Sequence, residues 1–435
     1  MTNKISYFMS CIFVLIAHGA MMYNVFINGN YDNPNAPFTL AFAVGVIDIA
    51  YFIIMPRFKQ KTYAVNFMLI LILNMSLIFQ SCFGEIKLDI KHMITCISAL
   101  VACQCGYLLC KNYNWIQMQF TFLYAGIFAL LVIILLFTGE RSMWIDLGFI
   151  SIQPSEFIKP LLVLVCGTAV VTQQDKIKIF NFYIVEENIR VFLTFAVVIL
   201  FQWWCRDLGS IPTFMAIYAS GFLLRICYPK AKFSRRTIVI ACSCVAVLGI
   251  IAVIVAPPYV KERIFADIWN NPDVNGYQQT KALIGIAEGG WFGKGAGNGW
   301  LCNVFAYESD IVFATICEEW GLLYAVMTVL MILIMIAMPL INPPRSYYHG
   351  TVCAGVCGAF TIQMALNIFG SCNMIPFTGV TLPFISAGGS SMVASGLMIG
   401  MIVASQSPEF TNHKGAEIRR KKNSILERIF NNEKH

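Results

Sequence analysis

Apolar runs of about 18 residues or more, enough to cross a hydrocarbon core, recur from one end of the chain to the other. Short clusters of charge, glycine, proline and asparagine separate them. The runs cover residues 5–27, 38–55, 63–83, 93–110, 115–137, 155–172, 191–204, 208–226, 237–256, 312–341, 350–370 and 391–405, the seventh being short. Helices are expected throughout, because an isolated strand in lipid leaves its backbone N–H and C=O groups without partners. The pattern predicts an all-α, polytopic transmembrane helical bundle of about twelve spans. No polar block is long enough for a separate soluble domain of about 100 residues.

Composition agrees with this pattern. Of 435 residues 58% are hydrophobic and 12% charged, about half the charge of a soluble protein. Many of the sixteen cysteines, such as Cys96, Cys103, Cys166 and Cys242, lie inside apolar runs, where a thiol acts as a small hydrophobe. No CxxC pair has metal-ligand spacing. The run after Lys4 is expected to be a first membrane helix rather than a cleaved signal.

Charge orients the bundle. With a cytoplasmic N-terminus, 21 lysines and arginines fall on the cytoplasmic side and 8 on the other, with Lys159 inside a span. That is a positive-inside bias with both termini cytoplasmic. The basic tail from Lys414 is expected to sit against anionic membrane lipid, or to dock a partner. The net charge of +7 comes largely from such segments and does not point to nucleic acid.

The unusual residues then gather at the outer side. Loop 139–153 leads into Pro154, which suits a first helical turn. Glu156 and Lys159, three apart, share a helix face. Lys159 is placed one to two turns below the surface, where a cation needs a partner or water. The pair is either structural or supplies a cation for an anionic substrate group. A second charged pair, Arg206–Asp207, occupies the short connection 205–209. The long outer segment 257–311 has six glycines after Ile286, as in an anion-binding nest or a flexible loop; no P-loop order is present. Glu318 and Glu319 read as acids at the start of a helix, favourable to its dipole. Asp310 stands apart at the outer boundary. Loop 371–390 is uncharged and rich in Pro, Thr, Gly and Ser, and irregular backbone at that depth lines a cavity or is buried in protein. Asp48, in the second span, is expected to make an interhelical hydrogen bond.

In order, WIDLG…QPSEF with Lys159, RDLG, GYQ followed by the glycine-rich stretch, SD–VFA–EE, and PFTGVTLPFISAGGSS resemble the SEDS family (shape, elongation, division and sporulation), the FtsW/RodA/SpoVE proteins. The likeness runs from about 139 to 405. It implies a GT-C-type fold and polymerisation of peptidoglycan from lipid II at the outer leaflet of the bacterial cytoplasmic membrane. A class B penicillin-binding protein is the implied partner. It divides the chain into two extra N-terminal helices (1–62), a core (63–406, with the large loop 257–311) and the basic tail (407–435). Met143 stands where the family usually has Arg, Phe305-Ala306 where it has Pro-Glu, and Glu308 where it has His.

Glycosyl transfer from a lipid pyrophosphate needs a base for the acceptor hydroxyl and cations for the leaving phosphates. Asp310 is the expected base. Lys159, Arg206 and Arg141 are expected to hold pyrophosphate, helped by the glycine loop near Lys294. Asp207 would orient Arg206 or Lys159, and Gln153, Glu156, Ser390 and Ser391 complete the substrate site. No cofactor is required, although a divalent cation could share the phosphate work. Two rival functions remain. A flippase would line a path through the whole membrane with charge, whereas these charges cluster on one side and no inverted repeat is visible. A non-catalytic scaffold for a penicillin-binding protein is kept open by the altered residues around Asp310.

Overall fold

The computed structural model describes residues 4–60, 62–111, 120–137, 143–146, 151–171, 176–179, 182–226, 276–344 and 346–406. Arg141, the expected span at 237–256, the first part of the large loop and the tail from 407 lie outside them. The described helices are α1 Lys4–Asn28, α2 Ala36–Ile54, α3 Ala64–Cys82, α4 Ile90–Lys111 and α5 Phe120–Phe137. Then follow α6 Ser155–Val171, α7 Glu186–Trp204, α8 Ile211–Ile226 and α9 Tyr277–Gly289. The last four are α10 Val312–Trp320, α11 Leu322–Ile341, α12 Tyr347–Ser371 and α13 Gly389–Ser405. Strands are confined, among the described residues, to two antiparallel ribbons: β1 Ile145–Asp146 with β2 Ser151–Ile152, and β3 Lys176–Ile179 with β4 Phe182–Val185. The fold is an all-α bundle, as the apolar pattern predicts.

Seven described helices are long and apolar enough to cross a membrane: α1, α2 with the 3-10 turn that extends it, α3, α4, α7, α11 and α12. Shorter apolar helices lie at 121–137, 211–223 and 389–405. Large apolar side chains such as Phe13, Phe42 and Leu330 face outward, which costs nothing against lipid tails as apolar as leucine itself. All thirteen described cysteines are free and nine are buried.

One expected span divides. Residues 312–341 read as a single run, yet Gly321, at φ +91°, ends α10 after nine residues and starts α11. At about 1.5 Å per residue, α10 is less than half as long as the hydrocarbon core is thick. Glu318 and Glu319 therefore sit in the last turn of a short helix, not at the start of a spanning one.

α12 is central and packs on α6, α8 and α13. α13 packs closely on α4 because small residues let the backbones touch. A Cβ on Gly396 or Gly400 would lie 2.3 Å from Ala99 O or 2.0 Å from Cys103 O. α1 and α2 pack on α3, where Asp48 is fully buried. Its Oδ2 lies 2.7 Å from His18 Nδ1, and its Oδ1 accepts from Asn74 Nδ2 at 2.9 Å. This is the interhelical bonding expected of Asp48.

Candidate functional site

Pro154, just before α6, has no N–H of its own to satisfy, and the entry turn closes through Glu156 N to Gln153 O and Phe157 N to Pro154 O, both 3.1 Å. Glu156 and Lys159 then project from one face. Lys159 Nζ donates to Glu156 Oε1 at 2.6 Å, with the two side chains 2% and 7% exposed. An ammonium has three donors, and Glu156 supplies the one partner that Lys159 has among the described residues.

A tight turn after α7 carries the second pair. Arg206 takes φ +61°, and its N–H and that of Asp207 bond back to Trp203 O and Gln202 O. A non-glycine residue in this region stores backbone strain, a feature concentrated at functional sites. Among the described residues Asp207 makes its side-chain hydrogen bonds to Ser210 and Gln153, and it meets Lys159 through charge alone. Its Oδ2 accepts from Ser210 Oγ at 2.8 Å and Gln153 Nε2 at 3.2 Å. Burial pushes the Asp207 carboxyl up, opposed by the Ser210 hydroxyl and the positive charge of Lys159.

Asp310 ends a run of turns before α10. Its N–H reaches Ala306 O at 2.9 Å and its Oδ1 accepts from Ser309 Oγ at 2.8 Å. Asn367 of α12 donates to Asp310 O at 2.9 Å and to Val380 O at 2.8 Å. Ser386 Oγ donates to Ser309 O at 2.6 Å. From α3, Gln80 Nε2 bonds both Glu308 O and Ile385 O at 2.9 Å. Neutral polar groups thus stitch the Asp310 turn to loop 372–388. Gly379, at φ +67°, completes the fit: a Cβ there would lie 2.9 Å from Asp310 Oδ2. Burial pushes the Asp310 carboxyl above its ordinary range, with only the Ser309 hydroxyl opposing.

These pieces enclose a cavity of about 400 Å³, within the range of ligand pockets. Gln153, Glu156, Lys159, Arg206, Asp207 and Asp310 all line it. The uncharged loop contributes Thr378 to Thr381 and Gly388, and α12 contributes Gln363. Ser390 and Ser391 stand behind the wall: Ser390 Oγ accepts from Gln153 N at 3.2 Å, and Ser391 Oγ lies 2.9 Å from Thr381 Oγ1. Gln80, Gln363 and Asn367 carry no number in the sequence reading, although each is a polar residue in a largely apolar helix.

Lys294 is not part of this cavity. Its Nζ bonds Glu288, and Glu318 at 3.1 Å. Burial works against its charge, but the bonds to Glu288 and Glu318 win and hold the ammonium above its usual range. The glycine loop does bind anions, and they belong to the chain. Glu319 accepts from Gly84 N, Gly297 N and Gly299 N at 2.7, 3.0 and 3.3 Å. Glu318 accepts from Trp300 N and Leu301 N at 3.0 and 2.9 Å. Among the described residues no three His, Cys, Asp or Glu side chains converge as a metal cage.

A family model described as cell cycle protein, for the FtsW, RodA and SpoVE group, matches residues 57–409. A probable peptidoglycan glycosyltransferase FtsW from Tolumonas auensis is 30% identical over 292 residues, 64% of this chain and 71% of its own. Stage V sporulation protein E of Bacillus subtilis is 27% identical over 274 residues, 61% and 71% of the two chains. Among solved structures, a chain of a peptidoglycan synthase complex has TM-score 0.62 at 20% identity, covering 81% of this chain and 99% of that one. The rod shape determining protein RodA of Thermus thermophilus has TM-score 0.52 at 17% identity, covering 79% and 96%. The two structures share the fold.

Proposed function

The chain belongs to the FtsW/RodA/SpoVE (SEDS) family of multi-pass membrane proteins, and we propose that it is a peptidoglycan glycosyltransferase that polymerises lipid II. The observation that carries the reading is the cavity: it sets Asp310, half-buried, raised by that burial and bonded to no lysine or arginine among the described residues, in a wall shared with Lys159 and Arg206. The relatives' names and the charge bias along the chain support the rest. With both termini cytoplasmic, the cavity opens at the outer face.

In this reading Asp310 accepts the proton of the acceptor sugar's 4-hydroxyl as that oxygen attacks the donor's anomeric carbon. The bond from that carbon to the pyrophosphate breaks, and its electron pair leaves on the phosphate oxygen. Lys159 and Arg206 stabilise the charge developing there. The described walls carry three carboxylates against two cations, so the leaving group draws further on Arg141; a divalent cation, were one bound, would supply positive charge of the same kind. A class B penicillin-binding protein is the proposed partner, and the lipid chains lie between helices.

The test is polymerisation of labelled lipid II by the purified protein, with and without its cognate penicillin-binding protein. Wild type is expected to make glycan strands and Asp310→Asn to make none. Equal product from both removes Asp310 as base. A wild type that makes nothing with its partner present supports the scaffold instead.

A further inference from the structure

The first two helices precede the residues that the family model matches and contribute nothing to the cavity wall. Their connecting loop nevertheless reaches the glycine-rich loop. Asn30 N donates to Ala296 O at 2.8 Å. The approach is close enough that a Cβ on Gly297 would lie 2.6 Å from Asn30 O, and one on Gly295 would lie 2.7 Å from Asn28 O. The same glycine loop is gripped from its other side by Glu318 and Glu319. Those two residues end α10, whose first residue comes two positions after Asp310. A continuous set of contacts therefore joins the α1–α2 loop to the Asp310 turn.

The hairpin is also anchored along its length. His18 of α1 and Asn74 of α3 both bond Asp48 of α2, each of the three at most 2% exposed. Sliding α1 and α2 along α3 by a turn would take Asp48 from Asn74 and His18 from Leu71 O, stranding polar groups in an apolar interior. The network thus sets the height at which Asn28 and Asn30 meet the glycine loop.

We infer that residues 4–54 are a built-in brace that holds the glycine-rich loop, and through α10 the Asp310 turn, in position. The consequence for catalysis rests on the reading of Asp310 given above; the mechanical role does not. Hydrogen exchange of the full chain in lipid nanodiscs, without substrate, tests it. Asn30→Pro removes the donor to Ala296 at an exposed position, and Asp48→Leu removes the anchor. Each is expected to speed exchange of the Gly297, Gly299, Trp300 and Asp310 amides roughly tenfold, the equivalent of one hydrogen bond, with α12 unchanged. Wild-type exchange at those amides in Asn30→Pro, or equal loosening of α12, overturns the brace. Because exchange is read without turnover, a wild type that proves inactive would sink the enzymatic reading and leave this result standing.

Discussion

Replacing Asn367 by leucine removes the one side chain that, among the described residues, ties the backbone of Asp310 to the uncharged loop, while leaving every charged residue of the cavity in place. Its amide makes bonds of 2.9 Å to Asp310 O and 2.8 Å to Val380 O, and a weak third of 3.4 Å to Ser309 O. A bond of ordinary length contributes about 1 kcal/mol net, and the long one is counted as nothing. The loss is then about 2 kcal/mol. Expressed wholly as misplacement of the base, it corresponds to a roughly thirtyfold fall in kcat, since about 1.4 kcal/mol is a factor of ten.

The assay is the initial rate of glycan synthesis from labelled lipid II across a range of pH. Because Asp310 and Ser309 are untouched, the acid limb of the rate profile should stay where it is in wild type while the plateau drops. KM should change little, because Asn367 does not line the cavity. A plateau within threefold of wild type, or a displaced acid limb, would refute the positioning argument.

Three further outcomes follow from the same geometry. A base works unprotonated, and burial holds the Asp310 carboxyl above its ordinary range, so activity should rise with pH through a limb above the usual carboxylate value of about 4. Ser309→Ala, which removes the opposing hydrogen bond, should move that limb higher still; a downward move contradicts the assignment. Lys159→Met leaves Glu156 buried without its partner, which costs on the order of 3–5 kcal/mol. Thermal unfolding should show the loss, with partial recovery in Lys159→Met/Glu156→Gln and none of the activity regained. Lys294→Met should lower thermal stability and leave KM for lipid II within about twofold; a tenfold rise would return Lys294 to the substrate site.

What the sequence revealed of the site follows from what lipid makes expensive. Lys159, Glu156, Arg206 and Asp310 stand out in an apolar chain because a charge there demands a partner or a function, and the structure gathers all four in one cavity. Asn367 and Gln80 do the positioning and are harder to read from sequence, since a buried neutral amide costs less than a charge and carries no acid–base chemistry. The glycine loop was legible as a nest and misjudged in its occupant. Glycine density announces available amides; it does not say that Glu318 and Glu319, some twenty residues on, already fill them. That error came with another: without the break at Gly321, both acids appeared to open a spanning helix rather than to close a short one.

The cavity also decides between its own carboxylates. Glu156 is engaged by Lys159 at 2.6 Å, so one of its oxygens is already taken by a cation. Asp310 has a hydroxyl at its Oδ1, a glycine against its Oδ2 and, among the described residues, no lysine or arginine bonded to it. Burial raises the Asp310 carboxyl, Asp207 is held by Ser210 and Gln153, and Glu156 is held by Lys159, so the three acids of one site are suited to different tasks. Asp310→Asn should therefore abolish polymerisation, by about 100-fold or more for loss of a general base. Glu156→Gln keeps the Lys159 cation and a group able to bond it, and should retain a larger fraction of the rate with its acid limb still present. If Glu156→Gln instead removes the acid limb while Asp310→Asn keeps it, the base has been assigned to the wrong carboxylate.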